Sequence, residues 1–134
     1  MIRHLYTLVC DLIRFENTGK VFIIGLYTPD IVVPGLPATL PSLALFVCLE
    51  SDEVTTLQVT FQLLHGTVTI TQGSAQVDVL RPGMVALPIQ LGPTPFAEPG
   101  TYRFTLDIAG RAETIETSFQ VQLQAQGPTP AIRI

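Results

Sequence analysis

Charge is scarce in this sequence. Asp, Glu, Lys and Arg make up 13% of its 134 residues, whereas an average soluble domain has about 25%. Lys20 is the single lysine, and the six arginines are scattered along the chain. The net charge of −4 and the lack of a basic cluster disfavour binding to nucleic-acid phosphates. We therefore expect no nucleic-acid partner.

Long apolar runs are also missing. The longest, such as residues 43–49, have the length of a strand and are far too short for a membrane-spanning helix. Near the start, Asp11 and Arg14 interrupt the apolar stretch, and no small-residue cleavage site follows it. We therefore expect a cytoplasmic protein without a leader and without a membrane partner.

Cysteine is rare, and tryptophan is absent. Cys10 and Cys48 fall on different predicted strands, so a disulfide is geometrically possible. In a reducing cytoplasm we expect both thiols to be reduced and buried in the core.

Recognisable catalytic and metal-binding motifs are lacking. The sequence contains no Gly-rich phosphate loop, no C-x-x-C or H-E-x-x-H pair and no G-x-S-x-G elbow. We therefore expect no enzyme, no cofactor and no metal, and we assign no catalytic residue. A Cys-His-Asp set can be assembled on paper, as in almost any domain of this size, from Cys10 or Cys48, His4 or His65, and Asp11.

Two pairs of polar residues have ordinary structural interpretations. Asp11 and Arg14 are placed to form an ion pair at a strand edge. The adjacent acids Asp52 and Glu53 could contribute to a weak calcium site, but two acids without a third normally form only a solvated turn.

Strand patterns fill most of the chain, and 11 prolines and 10 glycines punctuate it. Residues 101–108 and 115–123 alternate apolar with polar side chains around a turn, which predicts a β-hairpin. Residues 57–63 alternate in the same way. We expect turns at residues 72–74 and 81–83, and Pro88 indicates an edge strand or a break.

The first third predicts a second hairpin, with strands at residues 5–15 and 21–27 around a turn at residues 16–20. Both strands are apolar at nearly every position, which suggests burial on both faces or a covered sheet edge. The aromatics of the whole chain fall mostly on inward-facing positions, and Tyr6, Tyr27 and Phe96 are the exceptions that are not assigned to either face.

No stretch shows a sustained helical period, so we predict an all-β, antiparallel sandwich of about seven to nine strands with little or no helix. Residues 98–104 resemble the Pro-Gly-x-Tyr start of a late strand in immunoglobulin-like sandwiches. There the tyrosine hydroxyl bonds back to the loop backbone, which implies a structural role for Tyr102. Phe104 stands where an antibody domain has cysteine, so this is not an antibody-type domain.

The N-terminal motifs resemble the DUF6941 family of uncharacterised bacterial proteins. The matching segments are Cys-Asp-Leu-Ile-Arg at residues 10–14, Gly-Lys at 19–20, Ile-Gly-Leu-Tyr at 24–27 and Leu-Pro-Ala-Thr-Leu-Pro at 36–41. Leu12 departs from the family pattern, which has a second acidic residue there. The resemblance supports the architecture and implies no activity.

We expect one domain at residues 1–126 and a C-terminal tail at residues 127–134, which could add as a strand to a neighbour's sheet. The sparse charge favours a non-enzymatic structural or interaction module. Such a module would be a homo-oligomer or a small subunit of a larger bacterial or phage-related assembly. A domain binding a small ligand or peptide is the alternative, and an enzyme of unrecognised type is a third hypothesis.

Overall fold

The computed structural model describes residues 1–28 and 30–124, and within them the chain forms eleven strands and no helix. No helix there could cross a membrane. The strands are β1 (Ile2–Phe15), β2 (Val21–Leu26), β3 (Ile31–Val33), β4 (Ala38–Leu40), β5 (Ala44–Ser51), β6 (Thr55–His65), β7 (Val68–Val79), β8 (Gly83–Gln90), β9 (Thr94–Phe96), β10 (Gly100–Ile108) and β11 (Thr114–Leu123).

Two large sheets hold nine of these strands. The four-stranded sheet has the order β2-β1-β5-β8, and the five-stranded sheet has the order β3-β11-β10-β6-β7. The short strands β4 and β9 form a separate pair. The all-β prediction is confirmed, and the sheet order is consistent with an immunoglobulin-like sandwich. One pairing departs from the antiparallel prediction, because β3 runs parallel to β11.

The core lies between the two large sheets. Alternate residues of β5, such as Leu45 and Val47, are fully buried in one cluster with Phe104 and Leu106 of β10. Side chains of a strand alternate between its two faces, so this shared cluster requires that the sheets pack face to face. The result is a β-sandwich.

Tyr102 has the structural role that its motif implies. Its ring is 1% exposed, and its hydroxyl donates a 2.7 Å hydrogen bond to the carbonyl of Glu98. The edge of the Phe96 ring packs against it, with 4.9 Å between ring centroids. This bond ties the loop before β10 to the core, and it confirms the predicted tyrosine corner.

The turn predicted at residues 72–74 is wrong, because β7 runs unbroken through them. Gly73 lies opposite Phe61 on β6, and a Cβ on Gly73 would come within 2.6 Å of the Phe61 ring. Glycine is used here to make room for the aromatic ring on the neighbouring strand, and it does not mark a change of direction. By contrast, Pro88 does lie on an edge strand, as predicted, since β8 ends the four-stranded sheet.

The β1–β2 hairpin has the predicted turn, and Gly19 adopts a φ of +86° there. Strand β5 pairs with β1 only as far as Cys10, so residues 11–15 of β1 pair with β2 alone. Around this hairpin lies a second, smaller hydrophobic cluster. It consists of Cys10, Ile13, Ala44, Phe46 and Cys48, with Leu5, Leu8, Val21 and Ile23 packed against them.

This second cluster lies on the side of the four-stranded sheet that faces away from the sandwich. Ala44, Phe46 and Cys48 alternate with the core residues Leu45 and Val47 along β5, and alternate residues point to opposite faces. The hairpin therefore covers part of this outer face. The predicted C-terminal tail, residues 127–134, lies outside the described residues.

Candidate functional site

The cysteine, histidine and aspartate residues from which a Cys-His-Asp set could be assembled do not form a site in the structure. Cys10 donates a weak 3.7 Å hydrogen bond to the carbonyl of Leu12. His4 lies 2.8 Å from the Thr7 hydroxyl, and Asp11 accepts a bond from Tyr27. Each group has its own partner, and no hydrogen bond joins two members of the set. Among the described residues, no three His, Cys, Asp or Glu side chains are grouped to hold a metal.

His65 belongs to the tyrosine corner. Its ring stacks on Tyr102 with 4.3 Å between centroids, and its Nδ1 lies 3.1 Å from the carbonyl oxygen of Thr101. Its Nε2 is 3.7 Å from the Glu98 carboxylate. These contacts pack the loop before β10 and bring no nucleophile to the imidazole.

Both thiols are buried and free. Cys10 pairs with Ala44 on β5, whereas Cys48 pairs with Tyr6 on β1. Ala44 and Cys48 are four positions apart on β5, about 13 Å along the strand. Cys10, opposite Ala44, is therefore too far from Cys48 for a disulfide. Burial raises the pKa of Cys10, so the thiol is a poor nucleophile. The interpretation of Cys10 as a core residue is confirmed.

Asp11, Gly25 and Tyr27, all within the segments that carry the family resemblance, form one local unit. The Tyr27 hydroxyl donates a short hydrogen bond to Asp11 Oδ1. A Cβ on Gly25 would come within 2.2 Å of Asp11 Oδ2, so glycine is required for the carboxylate to lie there. Burial and the adjacent carboxylate raise the pKa of Tyr27. The unit fastens β1 to the end of β2, and it replaces the predicted ion pair with Arg14, which the structure does not form.

The acids Asp52 and Glu53 each have a cationic neighbour. The Asp52 carboxylate contacts the amino group of Met1, and a hydrogen bond from that group lowers the pKa of Asp52. Glu53 accepts a 2.8 Å bond from Arg111. The two carboxylates are thus used in separate ion pairs, which does not fit a shared cation site.

The outer face of the five-stranded sheet is polar without being strongly charged. Gln58 donates a 2.8 Å bond to Gln76 across β6 and β7, and Thr56 donates a 3.0 Å bond to Asp78. Thr and Gln side chains continue over β10 and β11. This ladder accounts for part of the low charge of the chain. The exposed polar residues of this face include Thr56, Gln58, Thr60, Gln62, Gln72, Ser74, Gln76 and Thr101.

The β1–β2 hairpin has the opposite character. Four large apolar side chains are exposed on it: Phe15 (55%), Phe22 (42%), Ile24 (43%) and Leu26 (47%). We call these four residues the hairpin patch. Val21 and Ile23, which alternate with Phe22 and Ile24, pack into the second cluster, so Phe22 and Ile24 point away from it. Phe15 lies opposite Val21 and is therefore on the same face as Val21, whereas Phe22 and Ile24 present apolar groups on the other face of the hairpin.

Further apolar groups lie on the outer face of the same sheet. Tyr6, 41% exposed, packs on Phe46 with 6.4 Å between ring centroids, and a hydrogen bond with the Cys48 thiol raises the pKa of Tyr6. Met84 on β8 is 67% exposed. The four-stranded sheet and its hairpin thus form the apolar side of the sandwich.

The sequence analysis missed this surface, because it assigned most aromatics to inward positions. Of the three aromatics that it left unplaced, Phe96 is fully buried, Tyr27 binds Asp11, and Tyr6 is on the outer face. Phe15 and Phe22 were not singled out. The available signal was the lack of polar alternation along residues 21–26. Burial on both faces, one interpretation of that signal, does not occur among the residues that the structure describes.

A shallow cleft of about 310 Å³ opens at one end of the sandwich. The start of β1 and the β10–β11 connection line it, including Arg3, His4, Arg111, Glu113 and Glu116. Arg3 is engaged with Glu50 at 2.7 Å, and Arg111 is engaged with Glu53. The cleft therefore mixes charges of both signs, and both of its arginines already have an acidic partner.

Comparison with known proteins gives a family and distant structural likenesses. The model of a family of unknown function, DUF6941, matches residues 5–124. No curated protein matches the chain.

The structural likenesses are to much larger enzymes. A β-glucosidase from Listeria innocua in complex with glucose is 13% identical over 70% of this chain, with a TM-score of 0.47. A β-glucosidase from Erythrobacter marinus is 12% identical over 90% of this chain, with a TM-score of 0.48. The chain spans 15% of the length of each enzyme, and these likenesses assign it no activity.

Proposed function

Since this chain belongs to the DUF6941 family, whose function is unknown, we propose a role from its surfaces: it is a non-enzymatic structural and interaction module. It self-associates, or it serves as a small subunit of a larger bacterial or phage-related assembly. We place it in the cytoplasm, where its two buried, unpaired thiols stay reduced.

The hairpin patch is the observation that carries this proposal. A fully exposed aromatic side chain offers roughly 150–250 Å², and aliphatic ones somewhat less. With about half of each side chain exposed, the four residues expose on the order of 300–400 Å² of apolar surface, divided between the two faces of the hairpin. Exposed apolar surface of this size on a monomer is often functional.

The five-stranded sheet provides an internal comparison. Its outer face is covered by Thr and Gln side chains, so the chain has the residues with which to solvate a sheet. The hairpin lacks them. Single apolar side chains such as Val32 and Val68 are also exposed on the five-stranded sheet, but the hairpin concentrates four of them. Such a concentration is the pattern expected of a contact with another protein chain.

We test self-association with the full-length chain by size-exclusion chromatography and light scattering, up to high micromolar concentration. The wild type is expected to form a discrete oligomer. Replacing both Phe22 and Ile24 with threonine keeps two good strand formers and removes two of the four apolar side chains of the patch. Fully burying such a side chain contributes about 1.5–3 kcal/mol, and somewhat under half of each is exposed here. The four side chains replaced in a dimer therefore contribute roughly 2.5–5 kcal/mol, and the double variant is expected to weaken association about a hundredfold or more.

Val68→Thr is the matched control, because Val68 is a strand residue on β7 that is 60% exposed and lies outside the patch. It is expected to associate like the wild type. Circular dichroism checks that every variant is folded. A wild type that stays monomeric throughout the series contradicts self-association, and equal weakening by Val68→Thr would show that the patch is not the contact.

A binding domain for a small ligand or peptide is the second candidate, and the cleft beside Arg111 is the observation that favours it. This candidate predicts a ligand-dependent rise in melting temperature that is the same in the monomeric double variant and in the wild type. Both arginines of the cleft already form ion pairs, so ligand binding is the weaker of the two candidate functions.

A further inference from the structure

Edge strands are the positions at which a sheet can accept a further strand, and the two large sheets have four of them: β2, β8, β3 and β7. Strand β8 contains Pro88, which has no N–H to donate. Strand β3 has only three residues, and β7 exposes mainly polar side chains such as Gln72 and Gln76. Among the described edge strands, β2 exposes the most large apolar side chains. It exposes Phe22, Ile24 and Leu26, whereas β8, β3 and β7 expose one each: Met84, Val32 and Val68.

We propose that β2 pairs antiparallel with β2 of a second copy, with Phe22 of each chain opposite Ile24 of the other. The two four-stranded sheets then become one continuous sheet. This inference rests on the proposed function, because it specifies how the self-association occurs.

The register follows from symmetry and from the shape of β2. In a two-fold antiparallel pair, opposite side chains point to the same face, so exposed Phe22 and Ile24 must each meet an exposed residue. Centring the pair on Ile23 gives two Phe–Ile contacts, which belong to the favourable aromatic–β-branched class. Gly25, at a φ of +70°, interrupts the extended backbone just beyond this segment.

The distribution of charge around β2 allows two copies of this strand to pair. Residues 21–26 carry none, and the register places Lys20 opposite Leu26 of the second copy. Like charges that face each other would oppose pairing, and this register places none opposite each other across the junction. A self-complementary strand of this kind is what a two-fold contact requires.

The contact made in this way is small. A standard interface buries about 800 Å² per partner, of which roughly 57% is apolar. Edge pairing brings together Phe22 and Ile24 of the two chains, which expose on the order of 150 Å² of side chain per chain. The backbone hydrogen bonds of the paired strands therefore supply much of the affinity.

The test is disulfide cross-linking between full-length variants under a mild oxidant. Opposite residues of an antiparallel pair have Cα atoms about 4.5–5.5 Å apart, within the range of a disulfide. A Phe22→Cys chain is mixed with an isotope-labelled Ile24→Cys chain, and mass spectrometry identifies the mixed dimer. The buried Cys10 and Cys48 are present in every variant, and the wild type measures their background.

The mixture is expected to cross-link about a hundredfold faster than a Val68→Cys control, because opposed thiols react at millimolar effective concentration. It should also exceed either variant alone, since the register does not oppose position 22 or 24 to itself. A mixture no faster than the control overturns the proposal. So does preferential linkage of Ile24→Cys to an Ile132→Cys chain, which would make the C-terminal tail the added strand.

Light scattering separates this failure from that of the proposed function. If the wild type is a discrete oligomer but the β2 thiols do not cross-link, the chain self-associates through another surface. If the wild type is a monomer and no cross-link forms, self-association itself is wrong.

Discussion

At the scale of single residues, the hydrogen bond from Tyr27 to Asp11 is the clearest polar contact of the hairpin. The folded chain holds the Tyr27 proton more tightly than the unfolded chain, in which tyrosine has a pKa near 10. A raised pKa stabilises the fold fully below that pH, and the stabilisation is lost as the pH rises above it. Tyr102, whose pKa burial also raises, contributes in the same direction.

We therefore expect the free energy of unfolding to fall above about pH 10, with up to about 1.4 kcal/mol per pH unit arising from Tyr27. Tyr27→Phe should remove that part of the slope, and below pH 10 it should cost about 1.5–3 kcal/mol through the loss of a bond to a charged group. Urea unfolding from pH 8 to pH 11 measures both. An unchanged slope in Tyr27→Phe would show that its hydroxyl is not held by Asp11.

At the scale of elements, the pair of Phe61 and Gly73 joins β6 to β7. The Phe61 ring lies over Gly73 and also packs near Phe104, with 6.0 Å between ring centroids. A side chain at position 73 would force this partly buried ring to move against the core, and such overpacking costs about 1–3 kcal/mol.

We expect Gly73→Ala to destabilise the wild type by about 1 kcal/mol or more, but to cost little in a Phe61→Leu background, where the clash is absent. A double-mutant cycle in urea measures this coupling. Gly35→Ala is the control, because no atom lies within 4 Å of its Cβ position, and it should change stability by less than about 0.5 kcal/mol. Strictly additive effects at positions 61 and 73 would contradict the contact.

At the scale of the whole molecule, the sandwich has two different outer sides. One side is the polar ladder of the five-stranded sheet, and the other is the apolar side formed by the four-stranded sheet and its hairpin. An ionic contact between chains weakens in salt, because the Debye length falls to about 3 Å at 1 M. An apolar contact is not weakened in this way by salt.

Association through the hairpin patch is therefore expected to be as strong in about 1 M sodium chloride as at low ionic strength, and stronger in sodium sulfate, which favours apolar burial. Analytical ultracentrifugation at both salt concentrations measures the dissociation constant. A loss of association in sodium chloride would point to the charged residues at the cleft end of the sandwich as the contact.

Local patterns in the sequence were sufficient for the long strands and the fold class, but not for the three-residue strands β3, β4 and β9. The structural role of Tyr102 was implied by the resemblance of its motif. Period-two alternation marks a strand with one face in the core, and the Pro-Gly-x-Tyr motif places a hydroxyl within reach of its own loop. The same patterns misassigned Gly73, because whether a glycine turns the chain or makes room for a ring depends on the residue opposite it.

The hairpin shows where sequence alone stops. Its residues are apolar at nearly every position, which is compatible with burial on both faces or with one exposed face. Only the tertiary structure decided between them, by packing Ile13, Val21 and Ile23 onto the outer side of β5 and leaving Phe22 and Ile24 in solvent. The sequence by itself determined that the strand is apolar, since that is a local property. Which of its faces is covered depends on contacts between residues distant in the chain, and those exist only once the sheets have paired.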